Sequence, residues 1–200
     1  MRPLSRDFYM QDAQSAARQL LGKLVVREVA GRQLILRITE TEGYLGADDP
    51  ACHSYQNRRT ARTEVMYGLG GYSYIYLIYG MYYLLNAVTG ERDDPCAVLI
   101  RAGEPVAGLD TISRNRFGRP WEALSKTQRR TISDGPGKLS RALGIGREQN
   151  KVDLTRVGSE LFIRAGGDDA PFEIHASARI GVDYAGQAAR WPLNFRLRKI

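Results

Sequence analysis

Two glutamates near the end of an apolar segment have the residue type and the spacing for acid–base chemistry. Glu40 and Glu42 lie in TETEGY, and a strand over this segment would place both on one face, ~7 Å apart. A carboxylate at the end of such a strand can act as a base that activates a water molecule. Two alternatives remain open. The two residues can be solvated acids on an edge strand, or they can be the carboxylate pair of an inverting sugar hydrolase, because the distances between the carboxyl groups in such enzymes include this separation.

Tyrosines are concentrated in the segment 73–86, SYIYLIYGMYYLLN, which holds five of the chain's eleven and no charged residue. Tyrosines alternate over residues 72–76, so they line one face of a strand, and the apolar pattern resumes after position 81. This pattern predicts a β-hairpin with Tyr79, Gly80 and Met81 at or near its tip. A buried core hairpin would also accommodate tyrosines, but an exposed apolar tip suits a wedge between base pairs.

The composition places these residues in a basic globular protein. The chain has 200 residues and a net charge of +7, with five lysines among its 29 basic residues. This length suits one domain with a sizeable core. Because the planar guanidinium of arginine binds phosphate oxygens in pairs, the charge favours a nucleic-acid partner. The alternative is a solvated surface that keeps the protein soluble.

Other features narrow the class of protein. No segment approaches the ~20 apolar residues of a membrane helix, and the first residues, MRPLSRDFYMQDAQ, lack the apolar core of a signal peptide. Cys52 and Cys96 predict no disulfide framework and suit a reducing cytoplasm. A zinc site would lack ligands, because His53 adjoins Cys52 and His175 is the other histidine. We therefore expect a cytoplasmic protein without a metal or a membrane contact.

The hydrophobic pattern predicts a single α+β domain over residues 1–200, with a mixed but largely antiparallel sheet. The glycine-rich turn at the start of the helix predicted over 133–145 would present N–H groups that suit an anion. The predicted helices cover 11–21, a pattern beginning at 105, and 133–145; the predicted strands cover 24–29, 33–45, 72–78, 82–88, 96–104 and 160–166.

Taken together, these segments resemble the alkyladenine (3-methyladenine) DNA glycosylases, the mammalian type in a chain of bacterial length. The combination of ETEGYLG with YLIYGMYYLLN is specific, and the matching segments keep their order over almost the whole chain. They are LLGKLVVR (20–27), ITETEGYLGADDPACHS (38–54), RTARTEVMYG (59–68), YIYLIYGMYYLLN (74–86), CAVLIRAGEP (96–105), DGPGKLSRALGI (134–145) and ARIGVDYAGQAARWPLNF (178–195).

The resemblance implies a monomeric base-excision repair enzyme that flips a damaged purine out of duplex DNA and hydrolyses its N-glycosidic bond. An abasic site remains, and no cofactor is needed. Glu42 matches the base that activates water, and Arg101 matches an arginine that helps to hold this water and a nearby phosphate. The implied substrates are 3-methyladenine and 7-methylguanine, with hypoxanthine and ethenoadenine as further candidates.

The resemblance also implies roles for residues around the flipped base. Tyr44, His53 and Tyr76 match the residues that enclose it, and Asn86 matches a side chain that opposes the 2-amino group of normal guanine. Electron-rich rings favour a cationic base by ~1–2 kcal/mol for each good contact. Glu40 is expected to be structural and hydrogen-bonded near the site.

The remaining implied residues contact DNA. The family fold has a curved sheet, surrounding helices and a protruding hairpin, on which Tyr79 matches the residue inserted into the duplex, with Met81 beside it. Other positions that fall where the family contacts DNA are Arg58, Thr60, Met66, and the turn from Gly135 to Lys138.

A second class of function is a binder of nucleic acid that shares this fold but has no activity. The presence of Glu42, Arg101 and Asn86 together argues against it, because phosphate binding alone requires no such pocket. No lysine near the predicted pocket suggests a Schiff-base step, so the expected enzyme only hydrolyses the bond.

Overall fold

The structure is a computed structural model that describes residues 2–167 and 172–199. Within these residues eight strands form one curled sheet. The strands are β1 Leu24–Val29, β2 Arg32–Tyr44, β3 Ser73–Ile78, β4 Tyr82–Thr89, β5 Cys96–Ala107, β6 Leu161–Arg164, β7 Phe172–Ser177 and β8 Asn194–Lys199. The α-helices are α1 Arg6–Tyr9, α2 Ala13–Leu20, α3 Leu109–Phe117, α4 Lys126–Arg130 and α5 Pro136–Leu143.

The strand β2 is the centre of the sheet. The main path runs β3-β4-β5-β2-β1-β6, and β8 pairs with the second half of β2 and with β7. Each of these pairings is antiparallel, which confirms the predicted α+β class with a largely antiparallel sheet. Because β8 joins at residues 40–42, the sequence TETEGY lies between two neighbouring strands, not at an edge.

The helix α2 covers one face of the sheet beside this point. Its N-cap, Asp12, accepts a hydrogen bond from the Ser15 N–H, and its small buried residues allow close contact with β2. The Thr41 hydroxyl donates to the Ala17 carbonyl over 2.8 Å. A Cβ at Gly43 would lie 3.2 Å from the Ala13 carbonyl oxygen, so glycine permits the close approach of helix to strand. The side chains of Glu40 and Glu42 therefore project from the other face of the sheet, away from α2.

One predicted helix begins too early. The pattern from residue 105 predicted a helix, but β5 continues to Ala107, with Pro105 opposite Leu36 and Ala107 opposite Ile35. Long-range pairing thus overrides the local pattern. Gly108, at φ 74°, then turns the chain into α3, because this left-handed backbone favours glycine.

The other predicted elements are present: helix 11–21 is the shorter α2, helix 133–145 is the shorter α5, and the predicted strands other than β5 begin and end within two residues of β1 to β4 and β6. Elements without a prediction are α1, α4, β7 and β8, each of six residues or fewer. Among the described residues no helix has the length and apolar character to cross a membrane.

Candidate active site

A cavity of about 810 Å³ opens over one face of β3, β4 and β5. Its rim is completed by residues 51–53, by the turn before α5, and by residues 180–184. The residues predicted for the site that line this cavity are Tyr44, His53, Met66, Tyr76, Tyr79, Asn86, Arg101, Gly135 and Lys138.

A single row of residues runs across five strands, from the cavity floor to the buried Glu42 and Asn194. Tyr74 pairs with Asn86, Asn86 with Leu99, Leu99 with Glu42, and Glu42 with Asn194. Residues directly opposite each other in a sheet project to the same face. The register of β3, β4, β5, β2 and β8 therefore places Glu42 and Asn86 of the predicted site in one row with three residues that were not predicted for it: Tyr74, Leu99 and Asn194.

Glu42 is fully buried and strongly hydrogen-bonded. Its Oε1 accepts from the Ile180 N–H over 2.8 Å and from Asn194 Nδ2 over 3.1 Å. Its Oε2 accepts from the Tyr44 hydroxyl over 2.9 Å and lies 3.3 Å from an Arg101 guanidinium nitrogen. Because an ionised carboxylate only accepts, these donors match the charged form of Glu42.

Glu40 lies beside Glu42 but has different contacts. Its Oε1 accepts from Arg101 Nε over 2.9 Å, from Asn194 over 2.7 Å, and from Arg196 over 3.1 Å. The β2–β5 register shifts on both sides of Glu40, and such irregularities redirect side chains near functional sites. Glu40 thus holds Arg101 in place, as expected of a structural residue. With both carboxylates tied to the same amide, no open gap separates them as in an inverting sugar hydrolase.

Tyr44 connects Glu42 to a second charged group. Burial, and then the charge of Glu42, raise the pKa of Tyr44 far above its ordinary value, so the phenol stays protonated and donates a hydrogen bond to Glu42. The Arg179 guanidinium lies 4.8 Å from the Tyr44 ring centre. Arg179 forms a bidentate, fully buried ion pair with Asp49 and also donates to the Gly43 carbonyl.

His53 forms another wall of the cavity and is neutral. Burial, and then the positive charges of Arg62 and Arg58, lower the pKa of His53 to about 4. Arg62 lies 3.3 Å from Nε2, and because arginine only donates, Nε2 accepts. His53 Nδ1 then donates to the Tyr74 hydroxyl, 2.8 Å away. The imidazole also lies edge-on to Tyr76, with ring centres 4.6 Å apart.

Asn86 is fixed by the main chain. Its Nδ2 donates to the Tyr74 carbonyl over 3.0 Å and to the Leu84 carbonyl over 3.3 Å. The side chain is buried and borders the cavity. Its amide therefore has one orientation toward any occupant, which is what a residue that discriminates between bases requires.

The hairpin tip, defined as Tyr79, Gly80 and Met81, joins β3 to β4. Tyr79 is 83% exposed and Met81 is 66% exposed. Tyr79 has φ 53° and Gly80 has φ 67°. The left-handed backbone costs a residue with a side chain about 1 kcal/mol, so Tyr79 holds a strained and exposed position at the cavity rim.

The predicted DNA-contact residues fall in three places. Arg58 and Thr60 line a second cavity of about 370 Å³, which shares His53 and Arg62 with the first. Met66 is 1% exposed and packs among core residues below the pocket. The turn residue Gly135 is the N-cap of α5, and Lys138 pairs with Asp134 over 2.8 Å at the rim. Met66 is therefore a buried residue of the cavity floor, whereas the other predicted DNA-contact residues, Arg58, Thr60, Gly135 and Lys138, lie at the cavity openings.

Residues of the site that were not predicted for it include Arg62, Tyr74, Arg179, Tyr184 and Asn194. Arg62 lies over the Tyr76 ring at 5.0 Å from its centre, and Tyr184 donates to the Ala51 carbonyl at the rim. The alternation in NFRLRK could have indicated a strand with Asn194 on one face. No local signal pairs Arg179 with Asp49, 130 residues earlier.

Among the described residues no group of histidine, cysteine, aspartate and glutamate is placed to hold a metal ion.

Residues 7–199 match the protein family described as methylpurine-DNA glycosylase (MPG). The chain is 44% identical over 197 residues to the "Putative 3-methyladenine DNA glycosylase" of Desulfitobacterium hafniense, with 98% of this chain and 96% of the relative covered. A protein of the same name from Clostridium novyi is 43% identical over 198 residues, covering 99% and 96%. Another from Natranaerobius thermophilus is 44% identical over 182 residues, covering 91% and 88%.

Proposed function

Because the chain belongs to the methylpurine-DNA glycosylase family, we propose that it removes alkylated purines from duplex DNA through a water molecule activated by Glu42. As a member of this family it is a DNA glycosylase, a hydrolase of N-glycosyl bonds that acts in the repair of DNA. The proposed substrates are 3-methyladenine and 7-methylguanine, with hypoxanthine and ethenoadenine as further candidates. The observation that carries the mechanism is the buried Glu42 carboxylate, held by donors that line the cavity.

In the proposed reaction, the damaged nucleotide rotates into the cavity and its base lies among Tyr44, His53 and Tyr76. These rings are neutral, since the pKa of His53 is lowered to about 4. A neutral, electron-rich enclosure favours a base that already carries positive charge. Asn86, held by main-chain carbonyls, would oppose the 2-amino group of an undamaged guanine.

The proposed chemistry uses Glu42 and Arg101. The bond from the sugar C1′ to the base nitrogen breaks, and its electron pair leaves with the base. Water attacks C1′ and loses a proton to Glu42, while the carboxylate stabilises the positive sugar. Arg101, anchored by Glu40 over 2.9 Å, would hold the water and a phosphate. A methylated cationic base leaves without further protonation.

The proposed DNA contacts use the outer surface. Tyr79 would fill the space that the flipped base leaves, with Met81 beside it, and both are exposed. Extrusion costs a few kcal/mol, part of which an inserted ring recovers by stacking. Arg58, Thr60 and Lys138 would contact the phosphates. Met66, in the cavity floor, would contact the nucleotide that enters the cavity. The net charge of +7 supports binding that does not depend on sequence.

The protein is proposed to act as a monomer in the cytoplasm and to reach the nucleoid through DNA.

The test uses a duplex with one 7-methylguanine and chromatographic detection of the released base. We expect free 7-methylguanine in amounts equal to the new abasic sites, and no covalent adduct after borohydride treatment. A protein that binds this duplex but leaves the glycosidic bond intact would contradict the proposal. A trapped adduct would contradict simple hydrolysis.

A further inference from the structure

Asn194 joins the two carboxylates through one amide group. Its Nδ2 lies 2.7 Å from Glu40 Oε1 and 3.1 Å from Glu42 Oε1. Asn194 is fully buried and stands directly opposite Glu42 in the pairing of β8 with β2. An amide nitrogen has two hydrogens, so each carboxylate receives one of them.

The contacts of Glu42 distinguish its two oxygens. Oε1 accepts from the Ile180 N–H and from Asn194, so its two lone pairs are occupied. Oε2 is contacted by Tyr44 and Arg101, whose side chains line the cavity. Oε2 accepts one hydrogen bond, from Tyr44, and its other contact is the ion pair with Arg101 at 3.3 Å, so Oε2 is the oxygen that keeps a lone pair for a water molecule.

We propose that Asn194 is a positioning residue, which turns Oε2 of Glu42 toward the substrate and compensates the repulsion between Glu40 and Glu42. This inference rests on the proposed role of Glu42 as the base that activates water. Arg101 bridges the same carboxylates from the other side. Asn194 supplies donors without adding charge, so Glu42 keeps a negative charge and remains able to accept a proton.

The acid limb of the pH–rate profile should report on Asn194. A buried donor to a carboxylate favours its charged form, and a neighbouring like charge opposes it. The titratable and charged groups near Glu42 are Glu40 and Tyr44 on β2, Tyr76 on β3, Arg101 on β5, Arg179 and Tyr184 in the segment before β8, and Arg196 on β8 beside Glu40.

The experiment measures single-turnover release of 7-methylguanine from a duplex between pH 4.5 and 9, ~0.5 unit apart. This base carries its positive charge without protonation, so the substrate does not create the acid limb. In Asn194→Ala we expect the midpoint of the acid limb to rise by ~1 pH unit and the plateau rate to fall ~10-fold. In Glu40→Gln we expect the midpoint to move down, because a like charge is removed.

Two further variants separate positioning from folding. Asn194→Asp keeps the size of the side chain but replaces the donor with an acceptor, so its midpoint should rise further than in Asn194→Ala. Asn115→Ala removes a structural amide elsewhere in the protein, whose hydrogen bond to the Ala142 carbonyl is 3.0 Å long. The midpoint of this variant should equal that of the wild type. Binding to a duplex with an uncleavable abasic analogue should stay within twofold in all variants.

An unshifted midpoint in a folded Asn194→Ala or Asn194→Asp variant overturns the inference, even where the rate falls. Glu42→Gln is measured alongside. If Glu42→Gln is inactive while the Asn194 variants keep the wild-type profile, the inference about Asn194 fails and the proposed function stands. If Glu42→Gln releases the base at the wild-type rate, the proposed function fails.

Discussion

The carboxylate end of the cavity and the hairpin tip are built in opposite ways. The carboxylate end, defined as Glu40, Glu42, Arg101 and Asn194, is buried, and its charged groups have several partners each. The hairpin tip has exposed side chains on a strained backbone. Fixed donors suit a step that must stabilise charge without rearrangement, whereas an exposed ring suits a surface that forms only with DNA. Chemistry and DNA capture should therefore respond to different substitutions.

The largest expected change in stability concerns the ion pair of Arg179 and Asp49 behind Tyr44. In Arg179→Met, Asp49 stays buried without its partner, which should lower the free energy of unfolding by ~3–5 kcal/mol. Denaturant unfolding measures this. The matched control is Arg114→Met, which removes an exposed ion pair with Asp110 and should cost less than ~1 kcal/mol. Equal losses in both variants would contradict the account of a rigid buried end.

His53 lies between these two regions, and its titration should make the free energy of unfolding depend on pH. Because its folded pKa of about 4 lies below its ordinary value, the unfolded chain binds more protons between about pH 6.5 and 4. His53 therefore imposes no penalty above pH 6.5, and the protein loses up to ~3 kcal/mol as the pH falls through this window.

Unfolding of wild type and His53→Asn at pH 7 and 4.5 isolates this contribution. The asparagine can keep the donor to Tyr74 but does not titrate. The fall in unfolding free energy from pH 7 to 4.5 should be smaller in the variant. If both proteins lose the same amount, His53 does not carry this part of the acid sensitivity.

Tyr79→Ala should have the smallest effect on the folded protein and a clear effect on DNA. The side chain is 83% exposed, so we expect the free energy of unfolding to change by less than ~0.5 kcal/mol. Loss of base stacking should weaken binding to a lesion duplex by ~10-fold. Fluorescence anisotropy with lesion and undamaged duplexes measures this, and Val157→Ala at another exposed position is the control. Unchanged lesion affinity in Tyr79→Ala would remove the insertion role.

The sequence predicts the two halves of the site unequally. Alternation and turn residues are local, so the strands with Glu42 and Tyr76 and the tip at Tyr79 follow from the pattern. Asn194 meets Glu42 across 152 residues, and a local pattern contains no information on that pairing. The extension of β5 beyond residue 104 has the same cause, because strand partners decided it. The role of each tyrosine came from the family resemblance, not from periodicity.

The most direct test of the central claim is the single-turnover rate of Glu42→Gln on a duplex with one 7-methylguanine. Glutamine keeps the shape of the side chain but cannot accept the proton from water, so we expect base release to fall by at least ~100-fold. Affinity for the uncleaved duplex should stay within ~3-fold, a change of less than 1 kcal/mol. Glu173→Gln on the exposed side of β7 is the control and should act as the wild type. Release by Glu42→Gln at the rate of Glu173→Gln would contradict the role assigned to Glu42.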